Sequence, residues 1–269
     1  MDLKEICKEI RCETLNCIGS IGVGHIGGCL SVAEVLTVLY FKHMNVDPKN
    51  PHMEGRDRFV MSKGHAGPAV YATLAVKGFF PRSELLTLNK NGTKLPSHCD
   101  MNKTIGIDMT AGSLGQGFSC AVGIAIASKL SKDNAYVYSI VGDGESQEGQ
   151  IWEAAMYAAH RKLDNLIAFT DYNGYQIDGS LDEVCSLGDL EQKWKAFGFD
   201  TVVIDGHDID AIDVAITNAK DCKGHPHMII LRTVKGRGVD FIEAKKPGNH
   251  SMSLSADDVK NAIEQIRRR

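Results

Sequence analysis

The N-terminal third of the chain alternates between helical patterns and glycine-rich loops. Apolar residues recur at helical spacing from Leu3 to Ile18, which predicts an amphipathic helix that ends in a cluster of glycines over 19–28. Ser31 and Glu34 form a Ser-x-x-Glu capping box ahead of an apolar run, so a second helix is predicted to continue to Phe41. The pattern then predicts a short strand over 58–61, a helix from near 68, a glycine-punctuated loop over 106–113 and a helix over 114–130.

From residue 136 onward, strand and helix patterns alternate. Buried strands are predicted over 136–141, 166–171, 201–204 and 228–233, and helices over 150–161, 190–197 and 209–218. This alternation predicts an α/β fold with a doubly wound, mostly parallel sheet and helices on both faces. No repeat or linker interrupts the chain, so we expect a single domain over 1–269 with a helical N-terminal lead-in and, from 255, a terminal surface helix. Ligands of such folds bind beyond the carboxyl ends of the strands.

Composition and charge narrow the class of protein. Hydrophobic residues make up 43% of the 269 residues and charged residues 24%, which is typical of a globular protein. The net charge of −4 offers no basic excess for a phosphate backbone, so nucleic acid is not an expected partner. No apolar run approaches the roughly 20 residues that a membrane-spanning helix needs. The eight cysteines are scattered singly and the first residues are charged, so we expect free thiols and a cytoplasmic location.

Two motifs resemble ligand sites but stand in an unsuitable context. Residues 22–27 spell G-V-G-H-I-G, the dinucleotide fingerprint, whose mechanism requires a preceding strand. The preceding segment has helical periodicity, so a nicotinamide cofactor is not expected. Residues 225–227, H-P-H, resemble a pair of metal ligands, but nothing nearby in the sequence completes a site, so a structural or surface role is expected for both histidines.

The strongest candidate for chemistry is a turn of sequence G-D-G over 142–144. It directly follows one predicted strand, and Asn173 follows the next. Glycines let backbone N–H groups approach an anion, and Asp143 offers a hard oxygen ligand. Adjacent parallel strands present their carboxyl ends at one edge of the sheet, so Asp143 and Asn173 are predicted to lie side by side. Carboxylate, amide and carbonyl oxygens suit Mg²⁺, which fills its other positions with phosphate oxygens and water.

With these residues the chain resembles the transketolases. The G-D-G turn with a downstream asparagine is the thiamine diphosphate motif, and five further segments are similar to that family in the same order. They are 24–25 (G-H), 57–59 (D-R-F), 62–66 (S-K-G-H-A), 112–117 (G-S-L-G-Q-G) and 235–238 (K-G-R-G). The resemblance covers essentially the whole chain but only the first half of a full transketolase. It therefore implies the N-terminal, diphosphate-binding subunit of a split enzyme that needs thiamine diphosphate and Mg²⁺.

The resemblance also implies a role for each matched residue. The Mg²⁺ ligands would be Asp143, Asn173 and the carbonyl of Tyr175. Contacts with the cofactor would come from residues at its diphosphate and at its rings, namely His65, Gly112, Ser113, Leu114, Gly144, Asn173, Lys235 and His250. The catalytic residues, which face the ketose hydroxyls or move protons, would be His25, His98 and His250. The reaction implied is transfer of a two-carbon ketol unit from a ketose to an aldose.

The resemblance implies an α2β2 assembly with a C-terminal transketolase subunit that carries the pyrimidine-binding half, and substrates that are sugar phosphates. A sulfonated or deoxy ketose, or a 2-oxo-acid dehydrogenase component, is the alternative. His98 and His250 lie in segments that depart from the common family pattern. Glu148 and Glu153 begin a helix, where carboxylates favour the helix dipole, and the resemblance also places them at a subunit interface. The small-residue helix over 114–130 would face either a partner chain or this chain's own sheet.

Overall fold

The structure, a computed structural model, describes residues 2–269 and contains a main sheet of five strands. The strands in chain order are β1 (Val23–Gly24), β2 (Arg58–Met61), β3 (Val137–Gly142), β4 (Leu166–Tyr172), β5 (Asp200–Asp205), β6 (His227–Arg232) and β7 (Met252–Ser253). The main sheet has the order β2-β3-β4-β6-β5, and its neighbouring strands are all parallel. β1 and β7 form a separate antiparallel pair.

Helices cover both faces of the main sheet. In chain order they are α1 (Leu3–Gly19), α2 (Ile26–Leu30), α3 (Ala33–Val38), α4 (Gly67–Lys77), α5 (Gln116–Ser131), α6 (Gly149–His160), α7 (Leu181–Val184), α8 (Leu190–Ala196), α9 (Ile209–Asp221), α10 (Asp240–Glu243) and α11 (Ala256–Arg268). One hydrophobic core packs α1, α3, α4 and α9 on one face, and a second packs α5, α6 and α8 on the other. The prediction of a doubly wound α/β fold is confirmed.

Strand β3 shows why the central strands are mostly apolar. Its residues are all buried, and successive side chains enter opposite cores. Tyr138 and Ile140 belong to the core that contains α1, whereas Val137 and Val141 belong to the core that contains α5. A parallel strand covered on both faces favours apolar side chains on both faces. The mostly apolar pattern of β3, which the buried Ser139 interrupts, therefore follows from the two helix layers.

The predicted capping box at Ser31 is wrong, although helix is present on both sides of it. α2 ends at Leu30, and α3 begins at Ala33 with no side-chain cap. The Ser31 hydroxyl instead donates to Asp171 Oδ2 at 2.7 Å, and Glu34 pairs with Arg11 at 2.6 Å. These tertiary partners outcompete the local cap. The helical path to Phe41 continues through a π-helical turn over Leu39–His43.

The glycine fingerprint over 22–27 serves backbone packing. α1 precedes it, as the helical periodicity predicted, so the strand that a dinucleotide site requires is not there. Gly27 donates its N–H to the carbonyl of Asn249 at 2.9 Å and accepts from the N–H of Gly236 at 3.0 Å. A Cβ at Gly27 would lie 2.4 Å from the Asn249 carbonyl oxygen. Only glycine allows these three segments of the chain to meet.

The C-terminal helix is confirmed as predicted from 255. Ser255 caps α11 and forms a capping box with Asp258. α11 packs on α1 through Ala262 and Ile266. Within residues 2–269, no helix has the length and apolar character needed to cross a bilayer.

Candidate active site

A cleft of about 360 Å³ opens at the carboxyl edge of β2, β3 and β4, where ligands of this fold class bind. Every site residue predicted from the sequence lines it except Ser113, which is exposed between two lining residues. The predicted residues at its wall are His25, His65, His98, Gly112, Leu114, Asp143, Gly144, Asn173, Tyr175, Lys235 and His250. The structure therefore gathers residues that are spread over most of the sequence. Their individual roles stay predictions.

Asp143 ties the ends of β3 and β4 together. Its carboxylate is 3% exposed and accepts three backbone hydrogen bonds. Oδ1 accepts from Gly144 at 2.8 Å, while Oδ2 accepts from Asn173 at 2.8 Å and Gly174 at 2.6 Å. Burial, with the charge of Asp171 added, raises the pKa of Asp143 to about 6. A cation placed here would therefore gain a carboxylate that is fixed in position and short of positive charge.

Asn173 and Tyr175 lie beside this carboxylate in the loop after β4. Asn173 donates through Nδ2 to Asp171 at 3.1 Å and accepts through Oδ1 from the Tyr175 N–H at 3.2 Å. The Tyr175 carbonyl accepts from the ammonium of Lys235 at 2.9 Å, so it is directed at a position that takes positive charge. The residues that carry the carboxylate, amide and carbonyl oxygens thus lie next to one another on the wall of the cleft. This donor set fits a small hard cation such as Mg²⁺.

Two buried lysines bring positive charge to the same end of the cleft. Lys63 pairs with Asp171, whereas Lys235 has no carboxylate partner among residues 2–269 and contacts the Tyr175 carbonyl and His250. Burial and the charge of Lys63 lower the pKa of Lys235 to about 8. A buried ammonium group without a carboxylate partner is suited to an anionic ligand such as a diphosphate.

Four histidines form one wall of the cleft. The ring of His25 lies 5.5 Å from His65, 5.7 Å from His98 and 5.4 Å from His250, and His65 lies 5.0 Å from His250. Burial lowers the pKa of all four, and that of His250 falls to about 3 with a contribution from Lys235. His250 Nδ1 lies 3.2 Å from the Lys235 ammonium, which only donates, so the ring hydrogen resides on Nε2. The wall therefore presents neutral imidazoles that both donate and accept.

Sequence reasoning assigned no role to the ion pair below the cleft. Lys63 and Asp171 are 1% and 0% exposed, and the Lys63 ammonium also donates to the Gly28 carbonyl at 2.8 Å. Asp171 further accepts from the hydroxyls of Ser31 and Thr233. One carboxylate thereby joins four segments of chain and orients the amide of Asn173. The sequence shows a lysine and an aspartate near predicted buried strands. Their pairing, over 108 residues of sequence, is visible only in the folded structure.

Glu145 was also missed. Its Oε1 accepts from the Gly115 N–H at 2.8 Å and from the hydroxyl of Ser62, and its Oε2 accepts from the Gly142 N–H at 2.9 Å. The side chain is buried, so these bonds are shielded from water. Glu145 therefore fixes the loop over 112–117 against the end of β3. By contrast, Glu148 is the N-cap of α6 but makes no side-chain cap, and it lines the cleft.

The sequence is similar over nearly its whole length to one protein family. The model of a family described as "Transketolase, thiamine diphosphate binding domain" matches residues 3–267. The chain belongs to the transketolase family. Among transketolase relatives, it is 54% identical over 266 residues to the "6-deoxy-6-sulfo-D-fructose transketolase subunit SqwG" of Clostridium sp. (strain MSTE9), covering 99% of this chain and 96% of that protein. It is 41% identical over 246 residues to one of the subunits of the apulose-4-phosphate transketolase of Phocaeicola vulgatus, covering 91% and 87%.

Longer transketolases are similar to this chain over one part of their length. It is 38% identical over 270 residues to the transketolase of Mus musculus, covering 98% of itself but 42% of that protein. The solved transketolase from Leishmania mexicana matches with a TM-score of 0.92 and 30% identity over 99% of this chain and 41% of that one. The chain is therefore a transketolase enzyme subunit with a thiamine diphosphate-binding domain. The two relatives above that match its length are named as subunits, which implies a partner subunit.

Proposed function

We propose that this chain is the cofactor-binding subunit of a two-chain transketolase that uses thiamine diphosphate and Mg²⁺ to transfer a two-carbon ketol unit from a ketose to an aldose. The observation that carries this is the meeting of Asp143, Asn173 and the Tyr175 carbonyl beside a wall of neutral histidines. In this proposal residues 1–269 form one domain, and the pyrimidine-binding and C-terminal domains belong to the partner.

The diphosphate end of the cleft is built from groups that suit Mg²⁺ and phosphate oxygens. Asp143, Asn173 and the Tyr175 carbonyl hold the metal ion, and Lys235, His65 and Gly144 contact the diphosphate. A Cβ at Gly144 would lie 3.2 Å from Gln176 Cβ, so glycine keeps this end open. Thiamine diphosphate, when bound, supplies the carbon nucleophile and the electron sink of the reaction. The protein positions the cofactor and supplies charged groups for its diphosphate and metal ion.

The substrate end is built from histidines. His25 and His98 are neutral neighbours, so each can donate one hydrogen bond to a ketose hydroxyl and accept another. His250 carries its hydrogen on Nε2, because Lys235 occupies Nδ1. That arrangement lets His250 hold a proton at Nε2 beside His25, 5.4 Å away between ring centres. Each neutral imidazole can bind and orient a substrate hydroxyl through one donor and one acceptor nitrogen.

The second chain of the enzyme would cover surface that this chain leaves open. In the loop that carries Gly112 and Ser113, Leu114 is apolar yet 37% exposed, and contact with the cofactor rings would bury it. On α5 and α6 the apolar side chains of Leu130 and Met156 are exposed. A partner chain packed on these helices would bury both side chains. The proposed partner is a C-terminal transketolase subunit, joined in an α2β2 complex with closed two-fold symmetry.

The free cysteines of this chain support a cytoplasmic location.

The cofactor site is tested by a titration with a matched control. Asp143→Ala removes the only full negative charge assigned to the Mg²⁺ site, so calorimetric affinity for thiamine diphosphate with Mg²⁺ should fall by at least about 100-fold, or ~2.7 kcal/mol. Asp178→Ala removes an exposed carboxylate that lines the same cleft and should leave the affinity within about threefold. Both titrations are made with the partner chain present. Equal affinities for the two folded variants would overturn the metal assignment.

A sulfonated ketose is a second candidate substrate beside a sugar phosphate. The relative with 54% identity is named for 6-deoxy-6-sulfo-D-fructose, whereas the relative at 41% is named for apulose 4-phosphate. Both terminal groups are anions, so the charges of this cleft do not separate them. Donor specificity is measured with 6-deoxy-6-sulfofructose and fructose 6-phosphate as matched substrates, each with the same aldose acceptor. A higher kcat/KM for the sulfonate would favour the second candidate, and a higher value for the phosphate would exclude it.

A further inference from the structure

A second cluster of ligand-type side chains lies at the amino-terminal edge of the main sheet, opposite the cleft. Asp200 is the first residue of β5 and His227 is the first residue of β6, and the sheet register pairs them directly. Cys222 caps the C-terminal end of α9. One carboxylate oxygen, one thiol sulfur and one ring nitrogen all lie within 4.8 Å of one another. The fold thus brings Asp200 and Cys222 to His227 of the H-P-H segment, although the sequence around that segment did not predict further ligands.

We propose that Asp200, Cys222 and His227 bind one divalent metal ion of the zinc class. Nitrogen, thiolate sulfur and carboxylate oxygen are together the ligand set that proteins use for Zn²⁺, and Mg²⁺ does not take sulfur. Three protein ligands leave the fourth tetrahedral position to water, which the exposure of the Asp200 side chain permits.

The two ring nitrogens of His227 give an independent reason for a cation at this place. Nε2 lies 3.2 Å from the carbonyl oxygen of Cys222, which only accepts, so Nε2 carries a hydrogen. Nδ1 lies 3.2 Å from Asp200 Oδ2, so a neutral ring directs its lone pair at a carboxylate oxygen. A positive charge between the two removes this conflict. Donation of the second ring nitrogen to a backbone carbonyl is also the usual support of a metal-bound histidine.

The surroundings of the cluster shift the pKa values of His227 and Cys222. Burial lowers the pKa of His227, although the Asp200 carboxylate opposes this shift. Partial burial and the same carboxylate raise the pKa of the Cys222 thiol. Binding of the metal ion forms a bond to sulfur and releases the thiol proton to solvent.

The backbone frame of the three residues is already fixed. The Asp200 N–H donates to the Pro226 carbonyl at 3.0 Å, and the Cys222 N–H donates to the Asn218 carbonyl at 3.0 Å. A bound ion would join the end of α9 to the starts of β5 and β6. The site lies across the sheet from Asp143, so its role is to stabilise the fold rather than to take part in ketol transfer.

Cobalt is the probe for this site, because a thiolate bound to Co²⁺ gives a near-ultraviolet charge-transfer band. The full chain is stripped with a chelator and titrated with Co²⁺ in excess Mg²⁺, which occupies oxygen-only sites. The band should saturate at one Co²⁺ per chain, disappear on addition of Zn²⁺ and be absent in Cys222→Ser. Asp200→Asn should weaken Co²⁺ binding by at least about tenfold. Cys185→Ser, at an exposed cysteine outside the cluster, should keep the band.

Two further measurements separate the metal site from an ordinary ion pair. Calorimetry of Zn²⁺ binding in buffers of different ionisation enthalpy should show release of one proton, and Zn²⁺ should raise the melting temperature of the wild type but not of Cys222→Ser. With the partner present, ketol transfer should be equal in Cys222→Ser and the wild type. Absence of the thiolate band in the wild type, or its survival in Cys222→Ser, would overturn the proposal and leave His227 and Asp200 as an ion pair.

Discussion

Replacing Lys63 by methionine isolates the contribution of the ion pair beneath the cleft. Methionine keeps the unbranched shape of the lysine chain but removes the ammonium, which leaves the carboxylate of Asp171 buried without its cation. Burial alone would raise the pKa of Asp171, and the Lys63 ammonium outweighs that effect and holds the pKa below its ordinary value. Lys63→Met should therefore destabilise the fold and release the amide of Asn173, which Asp171 orients.

The expected magnitude follows from the burial of both partners. Removing one member of a fully buried ion pair destabilises a protein by about 3–5 kcal/mol. For a chain of this size each kcal/mol lowers the melting temperature by roughly 2–4 °C, so a loss of about 6–20 °C is expected. Asp171 keeps its hydrogen bonds from Ser31, Thr233 and Asn173, which places the expected loss in the lower half of that range.

Thermal unfolding monitored by circular dichroism measures this loss. The control is Lys129→Met, because Lys129 makes a partly exposed pair with Asp164 that should contribute about 0–1 kcal/mol. The double variant Lys63→Met/Asp171→Asn removes the unpaired charge and should recover at least half of the lost stability, while cofactor affinity stays low. A melting temperature of Lys63→Met within about 2 °C of the wild type, or no recovery in the double variant, would refute the reasoning.

Other substitutions separate the parts of the site and of the surface. His25→Ala and His98→Ala should lower ketol transfer with little loss of cofactor affinity, whereas His65→Ala should weaken cofactor binding first; identical behaviour of all three in calorimetry and steady-state kinetics would reject separate roles. Gly123→Phe, at an exposed helix position where an added Cβ meets no atom within 4 Å, should keep the melting temperature but weaken association with the partner in sedimentation experiments. Burial raises the pKa of Glu34, but the charge of its buried partner Arg11 acts in the opposite direction. The net pKa of Glu34 lies below its ordinary value of 4.5. The pair therefore stabilises the fold above that pH and is lost below it, and Glu34→Gln should unfold more easily at pH 7 but lose less stability than the wild type between pH 7 and pH 3 in urea titrations.

The central strands could be predicted because a strand that is buried on both faces has a mostly apolar sequence. β2 begins and ends as predicted at 58 and 61, and β3 runs over 137–142 against a prediction of 136–141. The strand order β4-β6-β5 could not be predicted from the sequence pattern. β5 and β6 each follow a helical connection, and such a connection does not determine which strand lies next to them in the sheet. Such order depends on how the helix layers pack.

The capping box at Ser31 shows where a local motif misleads. Ser31 and Glu34 have the right spacing, but their partners are Asp171, 140 residues away from Ser31, and Arg11, 23 residues away from Glu34. Both partners are buried charges, which bind hydrogen-bonding groups more strongly than a helix end does. Only the folded chain reveals that competition.

The residues of the cleft that could be predicted from the sequence are those that belong to a recognisable motif. His25, His65 and Asp143 lie in short glycine-rich segments that follow or precede a predicted element. Glu145 lies inside such a segment and at the wall of the cleft, but its three hydrogen bonds connect parts of the chain that spacing does not link. The small-residue helix divides in the same way: Gly117 packs on Ser62 of this chain, whereas Gly123 is open.

The central claim is that this chain supplies the diphosphate half of a transketolase and needs a second chain for turnover. Its most direct test is an assay of the purified chain, alone and mixed with a chain that carries the pyrimidine-binding half, in the presence of thiamine diphosphate, Mg²⁺, a ketose donor and an aldose acceptor. The chain alone should give no ketol transfer, and activity should rise with added partner until the two are present in equal amounts. Full turnover by the chain alone would contradict the claim.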